Sequence, residues 1–178
     1  MKTTFLLLIT GFLFFTGCDL QEKIDEITTF NITNSIDFTI PSSSVVDLPF
    51  DVGTPDIKTS SEQSFENNNT RADLVENVSL AELTLNITNP SDRTFSFIKS
   101  LKIYISNDTE GATLIAENTN IPEDIGRELE METTGQNLDE YIKKDTYSLE
   151  FEVVTRETSN SETDITADMV FEVKAKTL

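Results

Sequence analysis

FNITNSIDFTI, residues 30 to 40, decides how this chain folds. Phe30, Ile32, Ile36, Phe38 and Ile40 fall on alternate positions, and Asn34 is the one polar residue in their row. Between them stand Asn31, Thr33, Ser35, Asp37 and Thr39, all polar. A period of two belongs to a strand with one dry and one wet face, because successive side chains point to opposite sides of the pleat. A helix would repeat its apolar positions every three to four residues. Pro41 and the serines after it close the strand.

The same period extends outward. Val78 and Leu80 alternate, then the phase changes to Leu83, Leu85 and Ile87, so the slip at Ala81-Glu82 predicts a β-bulge. Asn89-Pro90-Ser91-Asp92 reads as a turn. Phe95, Phe97, Leu101, Ile103 and Ile105 share a face, with Lys99 as the exception. A turn at 107–111 leads to a short strand at 113–117, and Leu129 and Met131 mark another. Residues 138–143 read as one helical turn with Leu138, Tyr141 and Ile142 inward. Tyr147, Leu149, Phe151 and Val153 alternate, as do Ile165, Ala167, Met169, Phe171, Val173 and Ala175; residues 158–163 between them read as a hairpin connection. Residues 42–75 are less regular. Val45 to Val52 suit a short edge strand limited by Pro49 and Pro55. Residues 59–70, polar apart from Phe65, read as a loop, with a helical turn over 70–77. Many short strands without a long amphipathic helix predict an all-β fold: an antiparallel, immunoglobulin-like β-sandwich of seven or eight strands with one short helical turn. A small barrel is the alternative.

The chain opens Met1-Lys2-Thr3-Thr4, runs apolar from Phe5 to Phe15 and closes at Phe15-Thr16-Gly17-Cys18. An apolar run of that length suits a secretory signal and is short for a spanning helix. Its end resembles the lipobox of bacterial lipoproteins, and the acidic stretch Asp19 to Glu26 resembles the surface-export signal of Bacteroidota-type lipoproteins. The resemblance implies a signal peptide over 1–17, a lipidated acidic tether over 18–28 and a sandwich domain over 29–178. It also implies palmitate-type acylation at Cys18, the bilayer as a partner through that anchor, and a surface-exposed place on the outer membrane. A second stretch, Leu83-Thr84-Leu85-Asn86-Ile87-Thr88-Asn89-Pro90, is followed by Ile103-Tyr104-Ile105, Leu114-Ile115-Ala116 and Ile121-Pro122. That order is similar to the late-embryogenesis-abundant proteins of the water-stress and hypersensitive-response type, which implies a β-sandwich and envelope stress protection.

Composition narrows the chemistry. Thirteen basic against 32 acidic residues give a net charge of −19, which repels nucleic-acid phosphate and anionic headgroups. There is no histidine and a single cysteine, so Ser-His-Asp, Cys-His and His- or Cys-based zinc systems are excluded, as is any intrachain disulfide. Gly53, Gly111, Gly126 and Gly135 form no phosphate-binding loop. No catalytic residue and no cofactor is expected. The one alternative chemistry is a pair of carboxylates acting as a glycan hydrolase. Calcium is the metal the composition favours, with Asp108 and Glu110 as its candidates beside Asn107 and Gly111; Glu123-Asp124 and the pair Asp164/Asp168 are weaker, and none has EF-hand spacing. Without tryptophan, sugar platforms would fall to Tyr104, Tyr141 or Tyr147, and a second sheet is expected to bury Tyr104. The function read from the sequence is a cell-envelope lipoprotein acting as a non-enzymatic binding, adhesion or structural module with a protein or glycan partner. Carboxylate hydrolysis and envelope stress protection are the alternatives. No residue fixes the oligomeric state.

Overall fold

The computed structural model describes residues 26–42 and 45–178. Ten strands follow in order: β1 (Ile27–Ile40), β2 (Pro49–Gly53), β3 (Ile57–Lys58), β4 (Val75–Asn89), β5 (Ile98–Ser106), β6 (Thr113–Asn118), β7 (Glu128–Glu130), β8 (Glu132–Thr133), β9 (Thr146–Thr155) and β10 (Thr163–Lys176). Two short helices, α1 (Ser61–Asn67) and α2 (Asp139–Ile142), interrupt them. One sheet has the order β1-β10-β4-β7; the other runs β2-β9-β5-β6-β8, with β3 also on β9. All pairings are antiparallel.

The pairings are nested. The first strand pairs with the last, β2 with β9, β4 with β7, and β5 with β6. The chain is therefore one long ribbon folded back at the β5–β6 turn and rolled up, which is the jelly-roll form of the antiparallel sandwich. The expected sandwich class and its short helical turn are present, with ten strands where seven or eight are expected. One of the additional strands arises because residues 128–133 divide at Met131: β7 joins the first sheet and β8 the second. The connection over 158–163 is not a hairpin, since β9 and β10 lie in different sheets.

The apolar rows meet between the sheets. Leu85, Ile103, Ile105, Phe151, Val153, Ile165, Phe171 and Val173 are fully buried there. Phe38 of β1 stacks on Phe151 of β9 at 3.8 Å, linking the two layers. Asn34, the polar break in the β1 row, donates to the Tyr147 hydroxyl at 2.8 Å, so the break is a paired group. The bulge expected at Ala81-Glu82 is present: Leu80 faces Phe171 and Glu82 faces Val170, leaving Ala81 unpaired in the register. Lys99 interrupts its row for the same reason, sitting at a register shift between Ile98 and Ser100. Phe95 and Phe97 belong to a 3-10 turn before β5. Helix α1 replaces the loop expected over 59–70, and β4 begins at Val75, inside the stretch read as a helical turn. Tyr104 is half-buried on the outward face, because its neighbours Ile103 and Ile105 take the inner one.

Candidate functional site

One concavity among the described residues lies at the end of the sandwich that carries α1. It is a groove of about 460 Å³ between α1, the turn at Ala72–Leu74 and the segment after α2. Thr59 holds its two banks together. Its hydroxyl donates to the Lys144 carbonyl at 2.7 Å, and its backbone N–H donates to the Asp145 carbonyl at 3.0 Å. Helix α1 is seven residues long and is seated by one apolar side chain, Phe65, which packs edge-on against Phe30 of β1. Its far end is fixed by Thr70, whose N–H donates to the Phe65 carbonyl at 3.0 Å and whose hydroxyl donates to the Lys176 carbonyl at 2.6 Å.

The groove is predominantly acidic. Glu62, Glu66, Asp73 and Asp145 line it, against Arg71 and Lys143. Both cations are already engaged: the Arg71 guanidinium meets Asp73 at 2.6 Å, and the Lys143 ammonium meets Asp139 at 2.8 Å. Glu62, Glu66 and Asp145 have no cationic partner among the described residues. Phe65, at 2% exposure, underlies the helix and offers no aromatic platform.

The opposite end carries three structural arginines that the sequence did not mark. Arg156 donates to the carbonyls of Ser96, Ile98 and Ile121. Arg127 donates to those of Pro90 and Ile87. Arg93 reaches Ser159 and Ser161 and lies 4.9 Å over the Phe97 ring. Guanidinium groups suit this work because their five donors form a fixed fork that can satisfy several loop carbonyls at once. A scatter of arginines in loops carries no motif, so only the fold reveals the role.

The residues singled out in the sequence are dispersed. Asp108 and Glu110 are exposed on a turn whose organiser is Asn107; its side-chain oxygen accepts the backbone N–H of Thr109 and Glu110 at 2.9 and 2.7 Å. Asp164 and Asp168 lie on the outer face of the first sheet. Asp164 accepts from Thr39 and Asn89, and Asp168 from Ser35 and Asn86. Among the described residues no group of three or more His, Cys, Asp or Glu is placed to hold a metal ion. Glu123 is exposed, 3.9 Å from Arg156. Tyr147 is buried, and burial pushes its phenol up to about 12, against the opposing effect of the Asn34 hydrogen bond.

No family model matches the chain, and no curated protein matches it. Among solved structures it is similar to the 60-mer BFDV capsid protein, at 12% identity over 86% of this chain and 95% of that one, with a TM-score of 0.45. It is similar to the decameric BFDV capsid protein at 13% identity over 85% and 100%, TM-score 0.39. It is similar to turnip yellow mosaic virus at 12% identity over 100% and 90%, TM-score 0.30. At these values the likeness concerns the sandwich alone and carries no argument about assembly.

These findings correct the family reading of the sequence. The structures matched are of capsid type, and they are neither bacterial lipoproteins nor late-embryogenesis-abundant sandwiches. The lipoprotein assignment is withdrawn, and with it the palmitate-type anchor at Cys18, the bilayer as a partner and the lipid-anchored, surface-exposed place on the outer membrane. Envelope stress protection, which rests on the second resemblance, is withdrawn as well. Cys18, the signal over 1–17 and most of the tether lie outside the described residues. No helix among the described residues is long and apolar enough to cross a membrane.

Proposed function

We propose that this chain is a non-enzymatic binding module whose groove beside α1 receives basic side chains of a protein partner. One observation carries the reading: Glu62, Glu66 and Asp145 line a groove whose two cations are already held by aspartates. Three exposed carboxylates along one groove favour a cationic guest by their summed charge. A protein partner fits better than a glycan because no exposed aromatic ring lines the groove. Asp108 and Glu110 stay outside this role, on an exposed turn.

The test is an NMR titration of the labelled chain with hexalysine. Shifts should concentrate at residues 61–73 and 143–145, and Glu66→Lys with Asp145→Lys should weaken binding about tenfold, the scale of two lost charge contacts. Glu128→Lys with Glu130→Lys changes the net charge equally on an exposed edge strand and should have a much smaller effect. Shifts spread evenly over the acidic surface, or equal weakening by the two double variants, would remove the groove as the site.

A further inference from the structure

The two sheets have unequal edges. β7 has three residues and β8 two, while β2 has five and starts with a proline. Those are the usual means by which sheet edges are kept from pairing with other chains. β1 has none of them. It runs for fourteen residues without proline, lysine or arginine, and it pairs with β10 from Ile27 to Ile40 without a register shift. No described residue hydrogen-bonds to its outer backbone edge. On its inner face Phe30 and Ile36 stay half-buried, Phe30 even with Phe65 against it. A long, unblunted edge is a ready template for strand addition.

The sequence of β1 specifies the occupant. Read outward from Asn34, it is close to a palindrome: Thr33 and Ser35, Ile32 and Ile36, Asn31 and Asp37, Phe30 and Phe38, Thr29 and Thr39. We infer that β1 is a self-association edge, on which a second copy of this chain pairs antiparallel about a twofold axis at Asn34. Such an axis sets each residue opposite its counterpart in the palindrome. Aromatic meets aromatic, Ile meets Ile, hydroxyl meets hydroxyl, and Asp37 meets Asn31 of the other copy with no carboxylate opposite it. Apart from Asn34 on the axis, the apolar members have even numbers and the polar ones odd, so both inner faces remain continuous across the join. The interface is isologous, closes at two copies, and joins two four-stranded sheets into one of eight. It stands independently of the groove.

Sedimentation equilibrium of the full chain over a concentration series tests this at physiological ionic strength, where charges are screened beyond about 8 Å. A monomer–dimer equilibrium is expected. Asn31 is exposed, so Asn31→Asp leaves the core untouched while setting Asp against Asp37 twice in the dimer. It should raise the dimer dissociation constant roughly three- to tenfold, the scale of two cross-strand like-charge pairs. Adding Asp37→Asn exchanges the members of the pair and should restore the original value. Circular dichroism verifies that each variant is folded. A chain that is monomeric throughout would overturn the inference; so would a dimer indifferent to Asn31→Asp, or one that the exchange does not restore.

Discussion

Asn34 and Tyr147 show how one polar pair is accommodated between two apolar sheets. An amide on the inner face of a strand costs free energy unless it is paired. Here the amide donates to a phenol 113 positions away, and the phenol ring meets Phe171 edge-on at 6.2 Å. The same burial makes the phenolate costly. In the unfolded chain Tyr147 ionises near 10, whereas in the fold it ionises at about 12. Above pH 10 the unfolded state therefore binds fewer protons, so stability present at neutral pH is lost as pH rises from 10 to 12. The full loss is on the order of 2–3 kcal/mol. Urea denaturation as a function of pH should show it, and Tyr147→Phe should abolish this part of the alkaline decline. An unchanged decline in the phenylalanine variant would mean that the burial of Tyr147 is not its source.

Among the elements, β4 carries the most information. Its bulge at Ala81 lets Val78 and Leu80 on one side, and Leu83, Leu85 and Ile87 on the other, all reach the core despite the change of phase. Deleting Ala81 removes the unpaired residue of the bulge and leaves Val78, Leu80, Leu83, Leu85 and Ile87 in a single alternating row against β10. Deleting Thr84 instead puts Leu83 beside Leu85 and would turn one of these sets toward water. The expected result of the Thr84 deletion is loss of the cooperative urea transition, since exposing even two such side chains costs about 3–6 kcal/mol. Ala81→Ser, at an exposed position, should stay within about 0.5 kcal/mol of the wild type. A Thr84 deletion variant that unfolds like the wild type would refute the register. This bulge was legible because alternation broke at one identifiable place, and the long strands around Phe30–Ile40, Tyr147–Val153 and Ile165–Ala175 were legible for the same reason. Helix α1 was not, because a helix seated by Phe65 alone has no apolar period. Phe95 and Phe97 misled because two aromatic residues at spacing two look the same in a strand and in a 3-10 turn. The groove left no trace in the sequence, since residues 61–73 and 143–145 meet only through the fold.

For the whole molecule, local alternation identified strands but not their partners. Nothing in the periods of β9 and β10 says that they lie in different sheets, and the polar connection between them resembles a hairpin. The winding is set by which apolar faces can be buried together, so most of its pairings join residues far apart in the chain. Such topologies fold slowly relative to helical bundles. The winding also places both proposed surfaces: pairing β1 with β10 anchors Phe30 under α1 and leaves the outer edge of β1 free of described partners. The groove and the self-association edge both depend on it. Backbone nuclear Overhauser effects test that pairing most directly. Cross-strand contacts are predicted between Ile32 and Phe171 and between Ile36 and Ala167, with none linking the backbones of 146–155 and 163–176. A continuous antiparallel ladder between those last two segments would contradict the account.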